Sequence, residues 1–133
     1  MLEGQCLCGD ITYTLTSNLH YLYRCHCVEC RRFSGASHAT NAFVTAADLE
    51  IKDPQESLAS YALESGNRYF CSNCRSPLYS EASGAGKLAS LHCGSLSNTP
   101  DKTLDANFWT SEKCPWTELA AGASIFEHAP DFD

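Results

Sequence analysis

The sequence predicts a mainly β protein with one or two short helices. Three observations carry that expectation. No helical period runs long enough for a bundle, short runs of alternating apolar and polar residues recur, and turn-forming residues separate them. With 133 residues, of which 44% are hydrophobic, the expectation is a single domain over 1–133 with a modest core that metal staples would help to hold.

Ile11-Thr12-Tyr13-Thr14-Leu15 alternates as a half-buried strand does. Tyr21-Leu22-Tyr23 leads directly into a cysteine cluster. Ala39 to Val44 reads as a strand, and Thr45-Ala46-Ala47-Asp48-Leu49 as one helical turn capped by Thr45. Ser57 to Ala62 and Arg68 to Phe70 read as two strands joined by the turn Glu64-Ser65-Gly66-Asn67. Pro77 to Glu81 and Lys87 to Cys93 form a second hairpin around the loop Ser83-Gly84-Ala85-Gly86. The tail is less regular. Trp109 and Trp116 are its expected anchors, and Ala129 to Asp133 is expected to fray.

Seven of the nine cysteines fall into tight clusters: Cys6-x-Cys8, Cys25-x-Cys27-x-x-Cys30 and Cys71-x-x-Cys74. Residues two apart in extended chain share a face, as do residues three apart in a helical turn. Cys25, Cys27 and Cys30 therefore converge on one point if a strand gives way to a turn there. Cys6, Cys8, Cys71 and Cys74 supply two sulfurs from each of two distant pairs. Joining them closes a loop of about 62 residues, a loop-length cost of roughly 4 kcal/mol. Structural zinc binding, at roughly 10–16 kcal/mol, outweighs it. The expectation is two zinc ions: a saturated four-cysteine structural site and a three-cysteine site. A zinc with three protein ligands keeps a position for substrate.

The spare cysteines, Cys93 and Cys114, leave open whether the second site closes. His26, between two ligands, points away from the metal in extended chain and becomes a candidate substrate contact. His38 and His92 read as satisfied polar residues near the core. Arg31 either attracts an anionic thiol compound or solvates the first turn after the ligands, and Arg32 reads as the solvated one.

An odd cysteine count, short spacings and an N-terminus without a basic-then-apolar segment argue for a reducing, cytoplasmic setting rather than a disulfide framework. No apolar run approaches ~20 residues, so no membrane span is expected. A formal net charge of −7 without a clustered basic face gives no nucleic-acid footprint.

Gly4-Gln5-Cys6-Leu7-Cys8-Gly9, then Cys25-His26-Cys27-Val28-Glu29-Cys30-Arg31, then Phe70-Cys71-Ser72-Asn73-Cys74-Arg75-Ser76-Pro77-Leu78, resemble the glutathione-dependent formaldehyde-activating enzyme family, which includes centromere protein V. Gly94-Ser95-Leu96 and Pro115-Trp116 look like further landmarks of that family. The resemblance implies a zinc-pinned β-tent of short antiparallel sheets. It also implies a structural zinc at Cys6, Cys8, Cys71 and Cys74, and a catalytic zinc at Cys25, Cys27 and Cys30. The implied activity is carbon–sulfur lyase chemistry, joining glutathione and formaldehyde as S-(hydroxymethyl)glutathione, with a small thiol as partner. The chain departs from the family pattern at Arg75, where members often carry Gly, at Ser97 and Asn98, where an acidic residue is frequent, and at Asn107, where a His often stands. A non-catalytic zinc-stabilised binding or scaffold domain is the alternative if a side chain closes the second site.

Overall fold

The computed structural model describes residues 1–82 and 86–130. The predicted loop at 83–86 is described only at Gly86, and the predicted fraying end only at residues 129 and 130. The remainder of both lies outside the described residues. In chain order the strands are β1 (Leu2–Gln5), β2 (Thr12–Leu15), β3 (Tyr21–Cys25), β4 (Ala39–Thr45), β5 (Leu49–Lys52), β6 (Leu58–Leu63), β7 (Gly66–Cys71), β8 (Pro77–Ala82), β9 (Leu88–His92), β10 (Ala106–Phe108) and β11 (Ser124–Ile125). One helix, α1 (Val28–Ser34), and single 3₁₀ turns at 46–48, 93–95 and 110–112 complete the set. The protein is mainly β, as the sequence predicts. Among the described residues no helix is long and apolar enough to cross a membrane.

The chain divides into two compact units. The first comprises residues 1–20 and 42–101, the second 21–41 and 102–133. In the first unit β1, β2 and β5 form an antiparallel sheet, with Leu2 opposite Leu15 and Leu15 opposite Leu49. Alternation along β1 and β2 turns Leu2, Tyr13 and Leu15 inward and leaves Glu3 to solvent. Gly4 is required there, since a Cβ would run into the Tyr13 ring. That ring is held by a 2.6 Å hydrogen bond between its hydroxyl and Ser95 Oγ. The same unit carries the antiparallel ladder β6–β7–β8–β9, with Ile11, Val44, Leu78 and Leu91 fully buried. The hairpin β6–β7 turns through Glu64 and Ser65, because Leu63 lies opposite Gly66.

In the second unit β10 runs parallel to both β3 and β11. The expected short antiparallel pairings hold in the first unit, and β10 adds parallel ones here. β10 is too short, and too uniformly buried, to show any alternation. Its Phe108 stacks on Tyr23 at 4.4 Å between ring centroids. Three local expectations are corrected. Thr45 does precede a helical turn, but its side chain makes no cap bond and instead meets His20 Nε2 at 2.8 Å. Ser57 precedes β6 rather than starting it, with its N–H on Asp53 Oδ1 and its hydroxyl on Asp10. Trp109 does anchor the tail, its ring edge-on to His128, whereas Trp116 is 76% exposed.

Candidate metal centres

The two predicted cysteine groups each form within one unit. In the first unit the sulfurs of Cys6, Cys8, Cys71 and Cys74 all lie within 4.8 Å of one another. Cys6 Sγ is 3.6 Å from Cys8 Sγ, and Cys8 Sγ is 3.8 Å from Cys71 Sγ. Sulfurs held about 2.3 Å from one tetrahedral centre stand roughly 3.8 Å apart. The donor set therefore fits zinc.

Two tight turns aim these sulfurs. After β1, the Cys6 N–H donates to Ile11 O, while the Ile11 N–H reaches back to Cys6 Sγ at 3.4 Å. At the end of β7, the Cys71 N–H donates to Ser76 O and the Arg75 N–H to Cys71 O. The second turn places Arg75 at φ +70°, the left-handed region that glycine adopts without cost. The Leu7 N–H donates to Ser76 Oγ at 2.8 Å and ties the two turns together. Burial pushes the Cys71 thiol up to about 11. Burial also acts to raise Cys74, but the Ser76 hydroxyl and the N–H groups of Ser76 and Cys8 outweigh it and bring that thiol down to about 5.

In the second unit the sulfurs of Cys25, Cys27 and Cys30 meet the same 4.8 Å criterion, and the group has three members among the described residues. β3 ends at Cys25, Cys27 is the N-cap of α1, and Cys30 lies in its first turn. The predicted change from strand to turn thus occurs at these residues. Cys27 Sγ accepts the Cys30 N–H at 3.3 Å, satisfying one of the donors a helix start leaves over. Glu112 Oε1 accepts the Val28 N–H at 2.9 Å. Glu29 in the first turn and Arg31 and Arg32 in the last complement the helix dipole. The Cys25 thiol is held far above its ordinary range, first by the sulfurs of Cys27 and Cys30 and then by burial. Three sulfurs this close do not all ionise without a cation among them, so this donor set also fits a bound metal.

His26 is fully buried. Its N–H donates to Phe108 O, and Nε2 lies 3.1 Å from Asn107 Oδ1. Nδ1 is buried with no hydrogen-bond partner. The His38 ring lies 5.3 Å away, and burial lowers both imidazoles, with Arg24 adding to the effect. His92 is buried in the other unit, as predicted for a polar residue near the core, and burial with Arg68 brings it down to about 4.

Among the described residues, neither spare cysteine belongs to the cysteine group of its own unit. Cys93 Sγ faces Leu91 O at 3.6 Å, and burial raises its thiol to about 12. Cys114 Sγ accepts a hydrogen bond from Arg31 Nη1 at 2.9 Å. That places Arg31 against a sulfur rather than free in solvent, while Arg32 is exposed. Asn107, Glu112 and the Arg31–Cys114 pair escape a reading by spacing, because each acts across more than eighty residues of chain. The sequence marks Asn107 as a departure from the family pattern and Arg31 and Cys114 as separate candidates, but none of the pairings.

The family model described as glutathione-dependent formaldehyde-activating enzyme matches residues 1–112. A protein of Halomonas elongata named "Putative glutathione-dependent formaldehyde-activating enzyme" is 31% identical over 86 residues, covering 59% of this chain and 55% of the relative. The match thus spans about half that relative's length. A crystal structure of a Rhodobacter sphaeroides protein has the same fold, with a TM-score of 0.61 at 21% identity over 74% of this chain and 91% of the other. The chain belongs to the glutathione-dependent formaldehyde-activating enzyme family.

Proposed function

We propose that this chain is a zinc-dependent carbon–sulfur lyase, with residues 1–133 acting as one domain in a reducing, cytoplasmic setting. In the forward reaction the sulfur of a small thiol, glutathione in the family's named activity, bonds to the carbon of an aldehyde such as formaldehyde. The carbonyl oxygen takes up the proton the thiol gives up, and the reverse step expels the aldehyde. No oxidant or reductant is needed.

The observation that carries this reading is the inequality of the two donor sets, four sulfurs against three. The four-sulfur set is saturated and serves structure. Cys25, Cys27 and Cys30 would hold a zinc ion, which would supply Lewis-acid chemistry favouring a thiolate, a form that makes up only a few per cent of a free thiol of pKa about 8.5 at pH 7. The chain's own groups do the rest. The Cys30 N–H on Cys27 Sγ fixes the direction of one donor. Arg31, pinned on Cys114, holds positive charge next to the last ligand. Asn107 Oδ1 holds the proton on His26 Nε2, which leaves the buried Nδ1 as an unpartnered acceptor and His26 as the candidate contact for the adduct's hydroxyl.

Exchange NMR on zinc-loaded protein with glutathione and formaldehyde tests the reading. Accelerated interconversion of free and adduct thiol, abolished by Cys30→Ala, is the expected result. A rate equal to that in buffer for every small thiol tried sinks it and leaves a zinc-stabilised scaffold.

A further inference from the structure

In the first unit β6 forms one edge of its sheet and pairs only with β7 among the described strands. Its six residues, Leu58-Ala59-Ser60-Tyr61-Ala62-Leu63, include no charge and no proline, and its register to β7 runs without a bulge. Natural sheet edges are blunted by lysine, proline or a bulge, because an open row of N–H and C=O groups is a template for another chain. β6 carries none of these devices. Ser60, Tyr61 and Ala62 are exposed, and Tyr61 keeps 62% of its surface in solvent.

The ladder decides which backbone groups stay open. The Ser72 N–H donates to Ser57 O at 2.7 Å, in line with the β6–β7 register. Bonded positions alternate along an antiparallel pair, so Ala59, Tyr61 and Leu63 direct their N–H and C=O groups at β7. Leu58, Ser60 and Ala62 turn theirs outward. The Leu58 N–H agrees with that direction and is already bonded, to Asp53 Oδ2 at 2.8 Å. Two complete donor–acceptor pairs remain, at Ser60 and Ala62, placed symmetrically about Tyr61. A two-fold axis through Tyr61 sets Ser60 of each copy against Ala62 of the other and makes four N–H···O=C bonds. It also sets Tyr61 against Tyr61 and Ala59 against Leu63, cross-strand pairs of the kind that stabilise sheets. A two-fold through Ser60 instead meets the blocked Leu58 N–H and brings Glu64 of each copy opposite Glu56 of the other, a like-charge contact. At a net charge of −7 per chain, two copies repel, and an uncharged strip in the first register is where they approach at least cost.

We propose that β6 is a homodimerisation edge: two copies of this chain pair their β6 strands antiparallel about a two-fold axis through Tyr61, joining the two ladders into one continuous sheet. The inference is independent of the lyase reading, since it uses no residue of the three-cysteine centre. A contact confined to one strand pair belongs to the small, transient class of interfaces, so monomer and dimer exchange as concentration changes.

Sedimentation velocity on the zinc-loaded chain from micromolar to millimolar concentration reads the association, and NMR amide exchange reads the register. A concentration-dependent dimer is expected, tightened by added salt as the like net charges are screened. Protection of the Ser60 and Ala62 amides should rise with the dimer fraction, while that of Tyr61, already bonded to β7, changes least. Ala62→Pro deletes one outward N–H per copy and leaves the β7 ladder intact, as proline on an edge strand does. Two of the four bonds are lost, so the dimer should weaken about tenfold or more. Tyr61→Lys leaves every backbone group in place, sets two like charges opposite each other and should weaken the dimer as well. This second variant is decisive where circular dichroism shows that Ala62→Pro does not fold. A chain that stays monomeric at millimolar concentration, a dimer of unchanged affinity in Tyr61→Lys, or a dimer whose Ser60 and Ala62 amides exchange as fast as in the monomer overturns the proposal.

Discussion

Cys6, Cys8, Cys71 and Cys74 come from two turns 63 residues apart, whereas Cys25, Cys27 and Cys30 come from one short stretch between a strand and a helix. The first centre gathers distant chain and holds its sulfurs at tetrahedral spacing. The second is assembled locally, with Cys27 already the cap of α1. A centre that closes a long loop makes its metal part of the folding free energy. A centre held by a helix cap receives its geometry from the fold and can give its metal to chemistry.

The largest expected effect breaks that contrast directly. Cys71→Ala removes a donor from the loop-closing centre and should abolish folding, since the lost metal energy of roughly 10–16 kcal/mol exceeds or matches a whole domain's stability. Loss of the cooperative circular-dichroism transition is the readout. Cys30→Ala should halve the zinc content and abolish thiol–aldehyde exchange, yet keep a cooperative transition. If both variants unfold alike, the two centres share one structural role.

A pH titration adds a second contrast, between the metals and the buried histidine of the first unit. The folded His92 has its pKa lowered to about 4. The unfolded chain takes up that proton near the ordinary value of about 6.5. Between these values the unfolded state binds more protons, so stability is lost as pH falls through this window, on the order of 3 kcal/mol. Denaturation of wild type and His92→Asn at saturating zinc should show a smaller acid slope in the variant. Equal slopes would assign the acid loss to the thiolates.

Smaller changes sharpen the comparison. Glu112→Gln weakens the bond to the Val28 N–H and removes a charge favourable at the start of α1, a loss of about 1 kcal/mol. It should lower zinc affinity at the three-cysteine centre and leave the other unchanged, as competition with a chelator would show. Arg75→Gly acts on the opposite centre. Relief of a left-handed arginine, worth about 1–2 kcal/mol, less the extra entropy glycine gives the unfolded chain, should raise stability by about 0.5–1 kcal/mol. A shift of the denaturation midpoint at fixed free zinc measures it.

Both cysteine groups were legible in the sequence because ligand spacing is a local property and thiolate chemistry restricts what such spacing can mean. β2, β4 and the two hairpins were legible for a similar reason, as alternation or turn residues mark them. β1, β5, β10 and β11 were not, since runs of two to four residues carry too little pattern and acquire their identity from a partner strand. Arg75 was visible as a departure, but its left-handed backbone explains why glycine is usual there. The hold of Asn107 on His26, of Glu112 on α1 and of Arg31 on Cys114 depends on distant segments meeting. The exposure of Trp116 follows from the same packing, and a tryptophan next to proline gives no sign of it.

Cadmium-113 NMR on cadmium-substituted protein tests the central claim most directly, because it sees each centre separately. Two signals are expected, one in the all-sulfur range and one shifted towards mixed coordination, with only the second moving into the all-sulfur range when glutathione is added. Two all-sulfur signals before any thiol is present, or a second signal that glutathione does not move, would contradict it.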